Sequence, residues 1–316
     1  MIIIIYAGTP LWSTRLSHRI ETGALASGGC IVSVSYDGTL YGLEEASGER
    51  RWLVECGSTV RAPPVGTRKR RTAADGEARL TKEEEDVVVV ADYDGGVRCV
   101  VVASGAVPWC SSVHAPGTAT CLDLSDGSRR WRIGASGPAA VPFFASPLPL
   151  PSSSSSTVEG SPPSIVLVDV NALATLHDAR TGVVLSDGCQ LSGRAFTTPA
   201  LLPGSGEDNA PDFSLFPLRA LWPSSTVEGI AFYHTPIWIE KRASFLLASS
   251  CGGAVVLPLR PLCQGPKEGE VVQVRQLLPP GCEKLFSPPM LLEESNGTRL
   301  YVGGRDDALH CLMFDA

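Results

Sequence analysis

Long apolar runs are missing from this 316-residue chain: no stretch approaches the roughly 20 apolar residues of a membrane-spanning helix. Charge is also sparse, at 19% of residues with a net of −7. Phosphate binding needs a dense positive footprint, so nucleic acid is not an expected partner. No window sustains a 3.6-residue apolar period, so few helices are expected. The opening Met1-Ile-Ile-Ile-Ile-Tyr6 lacks a charged start and is shorter than the roughly 7–15 apolar residues of a secretory signal. None of the ten cysteines lies in a Cys-x-x-Cys pair, and most sit in apolar strand-like runs such as Val97–Val100 and Leu309–Leu312. Reduced, buried thiols in a soluble cytoplasmic protein are expected, with no membrane partner.

Chemistry-bearing patterns are thin as well. The five histidines, His18, His114, His177, His234 and His310, never fall at a metal-ligand spacing such as His-x-x-x-His. Gly-x-Ser-x-Gly does not occur. Asp37, Asp94 and Asp306 stand in turns, where carboxylates stabilise positive-φ backbone rather than act in catalysis. The chain is expected to hold no catalytic residues, no cofactor and no metal.

What the chain does have is 32 glycines, 25 prolines and an internal repeat. Asp37-Gly38 is followed fourteen residues after its glycine by Trp52, and Asp94-Gly95 is followed at the same distance by Trp109, each with a Ser-Gly between. Three signatures recur in fixed order. The first is two apolar runs around a tight turn, as in 31–43 and 87–100, with weaker copies in 165–176, 245–257 and 300–312. Asp-Gly or Gly-Gly between β-rich runs marks a hairpin. The second is a small residue and Gly before a large apolar side chain, in 47–52, 104–109, 126–131 ending at Trp131, and 181–185. The third is a small-residue and proline run, as in Val60–Val65 and Leu285–Met290.

Four short strands per unit with turn-rich links imply an all-β propeller, one domain over 1–316, with about seven four-stranded blades in a range of six to eight. The segment around Tyr6–Leu16 has the second signature without the first, so it is expected to complete the last blade. The piece Cys121–Trp131 stands alone as an incomplete unit, and Phe213–Trp238 is a candidate degenerate blade. About 66–86, 149–163 and 203–212 break the period and are expected to be mobile loops of low hydrophobicity.

The pattern Asp-Gly-x-Leu-Tyr-x-Leu followed by Ser-Gly-x-x-x-Trp resembles the repeat of pyrroloquinoline-quinone-type propellers. More closely, 17–22 leading to Ser35–Gly38, and Lys284–Met290 leading to 303–312, are similar to the C-terminal propeller of the beta-alanine-activating enzyme family. That resemblance implies a propeller joined to an adenylate-forming, acyl-CoA-synthetase-like domain and a carrier domain. Motifs of those two domains are not found, so the chain is expected to be the propeller alone: a fragment, a truncated gene model or a stand-alone relative. It would be non-catalytic and would recognise an acceptor or dock the carrier and adenylating domains. Arg50, Arg51, Arg61, Arg129, Arg130 and Arg305 recur at blade turns and would form a basic patch for an acidic carrier surface. The alternatives are a stand-alone scaffold for protein assembly and a quinone-dependent dehydrogenase, which would need about six to eight oxygen ligands around a hard cation.

Overall fold

The computed structural model describes residues 4–6, 9–72, 80–113, 117–134, 141–143, 146–150, 163–190, 237–239, 244–248, 253–258, 274–276, 287–294 and 297–314. All regular structure among them is β.

The chain opens with β1 (Ile4–Tyr6) and β2 (Thr9–Arg15). β3 (Leu25–Ser27), β4 (Cys30–Val34), β5 (Thr39–Glu44) and β6 (Arg50–Glu55) then form an antiparallel sheet in sequential order. β7 (Val65–Thr72), β8 (Leu80–Ala91), β9 (Gly96–Val101) and β10 (Trp109–Ser112) form the next. β11 (Ala119–Leu122) and β12 (Arg129–Ile133) pair as a two-stranded sheet. β13 (Leu148–Leu150), β14 (Ser164–Val168), β15 (Leu173–Asp178) and β16 (Val184–Gln190) follow. β17 (Ile237–Ile239), β18 (Ser244–Ala248), β19 (Gly253–Pro258) and β20 (Val274–Gln276) form a sheet whose outer strand takes β1 in parallel. The last sheet holds β21 (Met290–Glu294), β22 (Gly297–Gly303) and β23 (Ala308–Phe314), and its fourth strand is β2, antiparallel to β23.

This is an all-β propeller. The described residues form six sheets, against an expected seven. Most of the candidate blade in Phe213–Trp238, the 203–212 insertion and nearly all of 149–163 lie outside the described residues.

The apolar runs follow from how the sheets stack. All of β4 is buried. Its side chains alternate between faces, as a strand requires: Cys30, Val32 and Val34 pack against Val88, Val90, Val100 and Val102 of the next sheet. Ile31 points the other way, into a cluster with Tyr301, Leu309 and Cys311 of the closing sheet. In β8, likewise, Val88 and Val90 face back, while Val87 joins Trp109 in a cluster on the far side. A strand between two blades has no solvent face, which is why its sequence reads as continuous apolar residues rather than alternating ones.

The segment 66–86 corrects its expected loop: 65–72 and 80–89 pair as a hairpin arm. Its register sets Arg68 opposite Asp86 and Lys69 opposite Glu85. Opposite charges facing across strands stabilise the pairing, and polar composition alone does not reveal this. Arg68 Nε lies 3.4 Å from Asp86 Oδ1.

Candidate protein-docking face

Two ends of each blade must be distinguished. In an antiparallel sheet the connection after the second strand and the connection after the third lie at opposite ends. The turns after the second strand share one geometry in four blades: positive φ at Gly38 (90°), Gly95 (84°), Ala172 (63°) and Asp307 (62°). The first three are closed by paired backbone bonds, such as Ser35 N to Thr39 O (2.9 Å) and Gly38 N to Ser35 O (3.0 Å), and the fourth by Gly304 N to Ala308 O (2.9 Å). This is a three-residue hairpin loop ending in a left-handed residue. The expected Asp residues stand one position earlier. Asp37 Oδ1 accepts from Thr39 N at 3.1 Å and from the Ser35 hydroxyl. Burial pushes the Asp37 pKa up, but the bonds from Ser17, Ser35 and Thr39 outweigh it and leave the group below the usual carboxylate value. Asp306 pairs with His310 Nε2 at 2.9 Å. Asp94 lies in the exposed Tyr93–Gly95 turn.

At the other end, the connections between third and fourth strands lock blade to blade. The Trp12 Nε1–H donates to Glu45 O (3.0 Å), Trp52 to Val102 O (2.7 Å), Trp109 to Leu124 O (2.8 Å) and Trp131 to Ala179 O (3.1 Å). In each case the indole lies against the turn glycine of the following blade: Gly48, Gly105, Gly127 and Gly182. A side chain at those glycines would occupy the indole's place. The repeated Ser-Gly and Trp spacing is therefore the signature of inter-blade contact, with Trp52 and Trp109 each 9% exposed.

The six arginines divide between these two ends. Arg50 and Arg51 begin β6, and Arg129 and Arg130 begin β12, at the tryptophan-dock end. Arg51 Nε donates to Glu44 Oε2 at 2.6 Å, and Arg130 Nε to Asp123 Oδ2 at 2.9 Å, so both are engaged within their own hairpins. Two hydrogen bonds from Ser125 and the Arg130 guanidinium hold the Asp123 carboxyl well below the usual range. Arg61 and Arg305 lie at the opposite end, beside the three-residue turns. The structure brings these two towards one another and separates them from the other four.

Around Arg61 stands a group that the repeat pattern did not single out. Arg61 Nη2 donates to Tyr36 Oη at 2.7 Å, which raises the arginine's pKa further. Its guanidinium carbon lies 5.5 Å from the Tyr36 ring centroid and 5.2 Å from that of Tyr93. Arg19 covers Tyr36 at 3.7 Å. Glu21 accepts from Arg19 Nε at 2.8 Å and from Arg305 Nη2 at 3.3 Å. Arg305, Glu21, Arg19, Tyr36, Arg61 and Tyr93 thus run across two blade junctions. Their backbones are pinned: Tyr36 N donates to Arg19 O (2.9 Å) and Tyr93 N to Thr59 O (2.7 Å). Tyr93 is 68% exposed, the most exposed of the large hydrophobic side chains among the described residues. The legible signal was the tyrosine at the same turn position in Ser-Tyr-Asp-Gly and Asp-Tyr-Asp-Gly.

Among the described residues no three His, Cys, Asp or Glu side chains gather to hold a metal ion. Asp37 and Asp306 are engaged within their own turns, and Asp92 and Asp123 in ion pairs with Arg98 and Arg130.

Fold and repeat together define an all-β propeller built from a repeated four-stranded unit. Residues 4–120 match a family model described as outer membrane protein assembly factor BamB. Across the whole chain, the fold is similar to the crystal structure of BamB from Moraxella catarrhalis, with a TM-score of 0.51 at 16% identity, covering 96% of this chain and 86% of that one. No curated protein matches the chain. The likeness to the beta-alanine-activating enzyme family is not among these findings.

Proposed function

We propose that this chain is a non-catalytic propeller scaffold that holds a partner protein during assembly. The observation that carries this reading is the row of arginine and tyrosine side chains from Arg305 to Tyr93, in which Arg305, Arg61 and Tyr93 are exposed and Arg19 and Tyr36 half-buried. Arginine and tyrosine are enriched where protein interfaces bind most strongly. Backbone bonds pin the tyrosine turns to the linkers that carry Arg19 and Arg61, which lowers the ordering entropy lost on docking. The match of residues 4–120 to a family model described as an assembly factor supports the same reading. The cytoplasm is the proposed compartment. The seven cysteines among the described residues are all free thiols, as a reducing environment favours.

A photo-crosslinking residue in place of Tyr93, in the full chain expressed in its source cells, tests the scaffold reading. A defined protein captured at that position, and not from the exposed Val107 at the other end of the same blade, is the expected result. Equal capture from both positions, or none from Tyr93, overturns it. The finer reading names the carrier and adenylating domains of a beta-alanine-activating enzyme as the partner. It rests on the sequence likeness alone and is favoured only if the captured protein carries those domains.

A further inference from the structure

The linker before β3 and the linker before β7 are equivalent. Arg19 O and Thr59 O accept from the two turn tyrosines, and the next residues, Ile20 and Val60, are both fully buried. The residues after those are Glu21 and Arg61. At the first junction, therefore, a carboxylate of the chain itself is held by two guanidiniums, Arg19 and Arg305. At the second, the position carries the guanidinium instead, and among the described residues no carboxylate lies within ion-pair distance of it. Asp37 is occupied by Ser35 and Thr39, and Asp92 by Arg98 at 2.9 Å. Asp94, beside Tyr93, is the remaining acidic neighbour on these turns.

Among the described residues, Arg61 uses one N–H on Tyr36 Oη and the rest of its planar fork meets no other acceptor. The Tyr36 and Tyr93 rings flank the guanidinium at 5.5 and 5.2 Å, and its planar fork matches a carboxylate through two parallel bonds. The position is an open surface rather than a cavity, so a small anion would find no enclosing walls there. A polypeptide would, by laying apolar atoms on the Tyr36 and Tyr93 faces.

We infer that Arg61, set between Tyr36 and Tyr93, is a carboxylate receptor that takes an acidic side chain from an extended segment of a partner protein. The inference rests on the scaffold reading above and names the chemistry of its partner. Arg19 and Arg305 already hold Glu21, so the receptor takes a single acidic side chain, at Arg61.

The probe is a fluorescein-labelled peptide of alternating Glu and Phe, compared with its Gln and Phe counterpart, titrated by anisotropy with the full-length chain. The Glu peptide should bind at least about tenfold more tightly than the Gln peptide, with the advantage shrinking as salt is raised. Arg61→Ser should erase that advantage, Arg61→Lys should restore only part of it, and Tyr93→Ala should weaken both peptides. The pair Arg50→Ser and Arg129→Ser, at the other end of the blades, should change nothing. Thermal unfolding checks that each variant is folded. Equal affinity for the two peptides, an unchanged advantage in Arg61→Ser, or no binding by the native chain each overturns the inference. None of these bears on the cross-linking result, so the scaffold reading stands or falls separately.

Discussion

The sheet β3–β6 and the two-stranded sheet β11–β12 end in the same device. Each has a hairpin whose glycine receives the indole of the preceding blade, Gly48 under Trp12 and Gly127 under Trp109. Each closes that hairpin with an arginine on an acid, Arg51 on Glu44 and Arg130 on Asp123. Each sends its own tryptophan to the next blade. They differ in what lies inward. β4 and β5 supply a fully buried layer between neighbours, whereas only six residues separate Ser112 from Ala119, too few for two further strands before β11. Trp52 is accordingly buried and Trp131 half-buried. The outer hairpin and its tryptophan are thus a separable unit that joins blade to blade, while the inner strands supply the core.

That contrast breaks or sharpens by experiment. Trp52→Ala removes a buried ring and its bond to Val102, and should cost roughly 3–5 kcal/mol, the range for large-to-small core changes. Trp131→Ala should cost roughly half as much, because its ring is half-buried and less apolar area returns to water. Denaturant unfolding of the two variants measures the difference. Equal losses would mean that the inner strands add nothing to the dock.

A smaller effect compares the turn glycine of the first blade with its replacement in a later one. Gly38→Ala places a Cβ against the Ser58 backbone at positive φ and should destabilise by about 2 kcal/mol or more. At the equivalent turn position Ala172 already bears that strain at φ 63°, so Ala172→Gly should stabilise by up to about 1 kcal/mol. Melting temperatures moving in the same direction for both would show that the two turns are not equivalent.

The smallest effect lies in the closing blade. Burial pushes the Cys311 thiol from 9.0 up to about 11. The folded value lies above the unfolded one, so the stability contributed by the neutral thiol is full below pH 9.0 and is lost as pH rises towards about 11. Burial also raises the neighbouring Tyr301. A fall in melting temperature across that window, reduced in Cys311→Val, is the expected outcome; an identical fall in the variant would assign the effect elsewhere.

Much of the fold was legible because it rests on local chemistry. Hairpin glycines, the Ser-Gly and Trp spacing, and apolar runs such as Ile31–Val34 report turn geometry and two-sided burial directly. The arm at 65–89 was less legible, since its stability comes from opposite charges brought face to face by register, while its composition reads as a loop. The docking face was legible only in part. Six arginines recur at turns, but recurrence does not say at which end of a blade a turn lies.

By itself, then, the sequence determined the repeated β unit, its turns and its tryptophans, because these depend on backbone preferences and burial within a few neighbouring residues. Only the tertiary structure decided that β1 pairs in parallel with β20. It alone sent Arg50, Arg51, Arg129 and Arg130 to one end of the blades and Arg61 and Arg305 to the other. It also brought Tyr36, Arg61 and Tyr93 together from three separate segments. The reason is geometric: strand direction reverses at every turn, so which side chains share a face is set by how successive blades stack, and no local pattern carries that information.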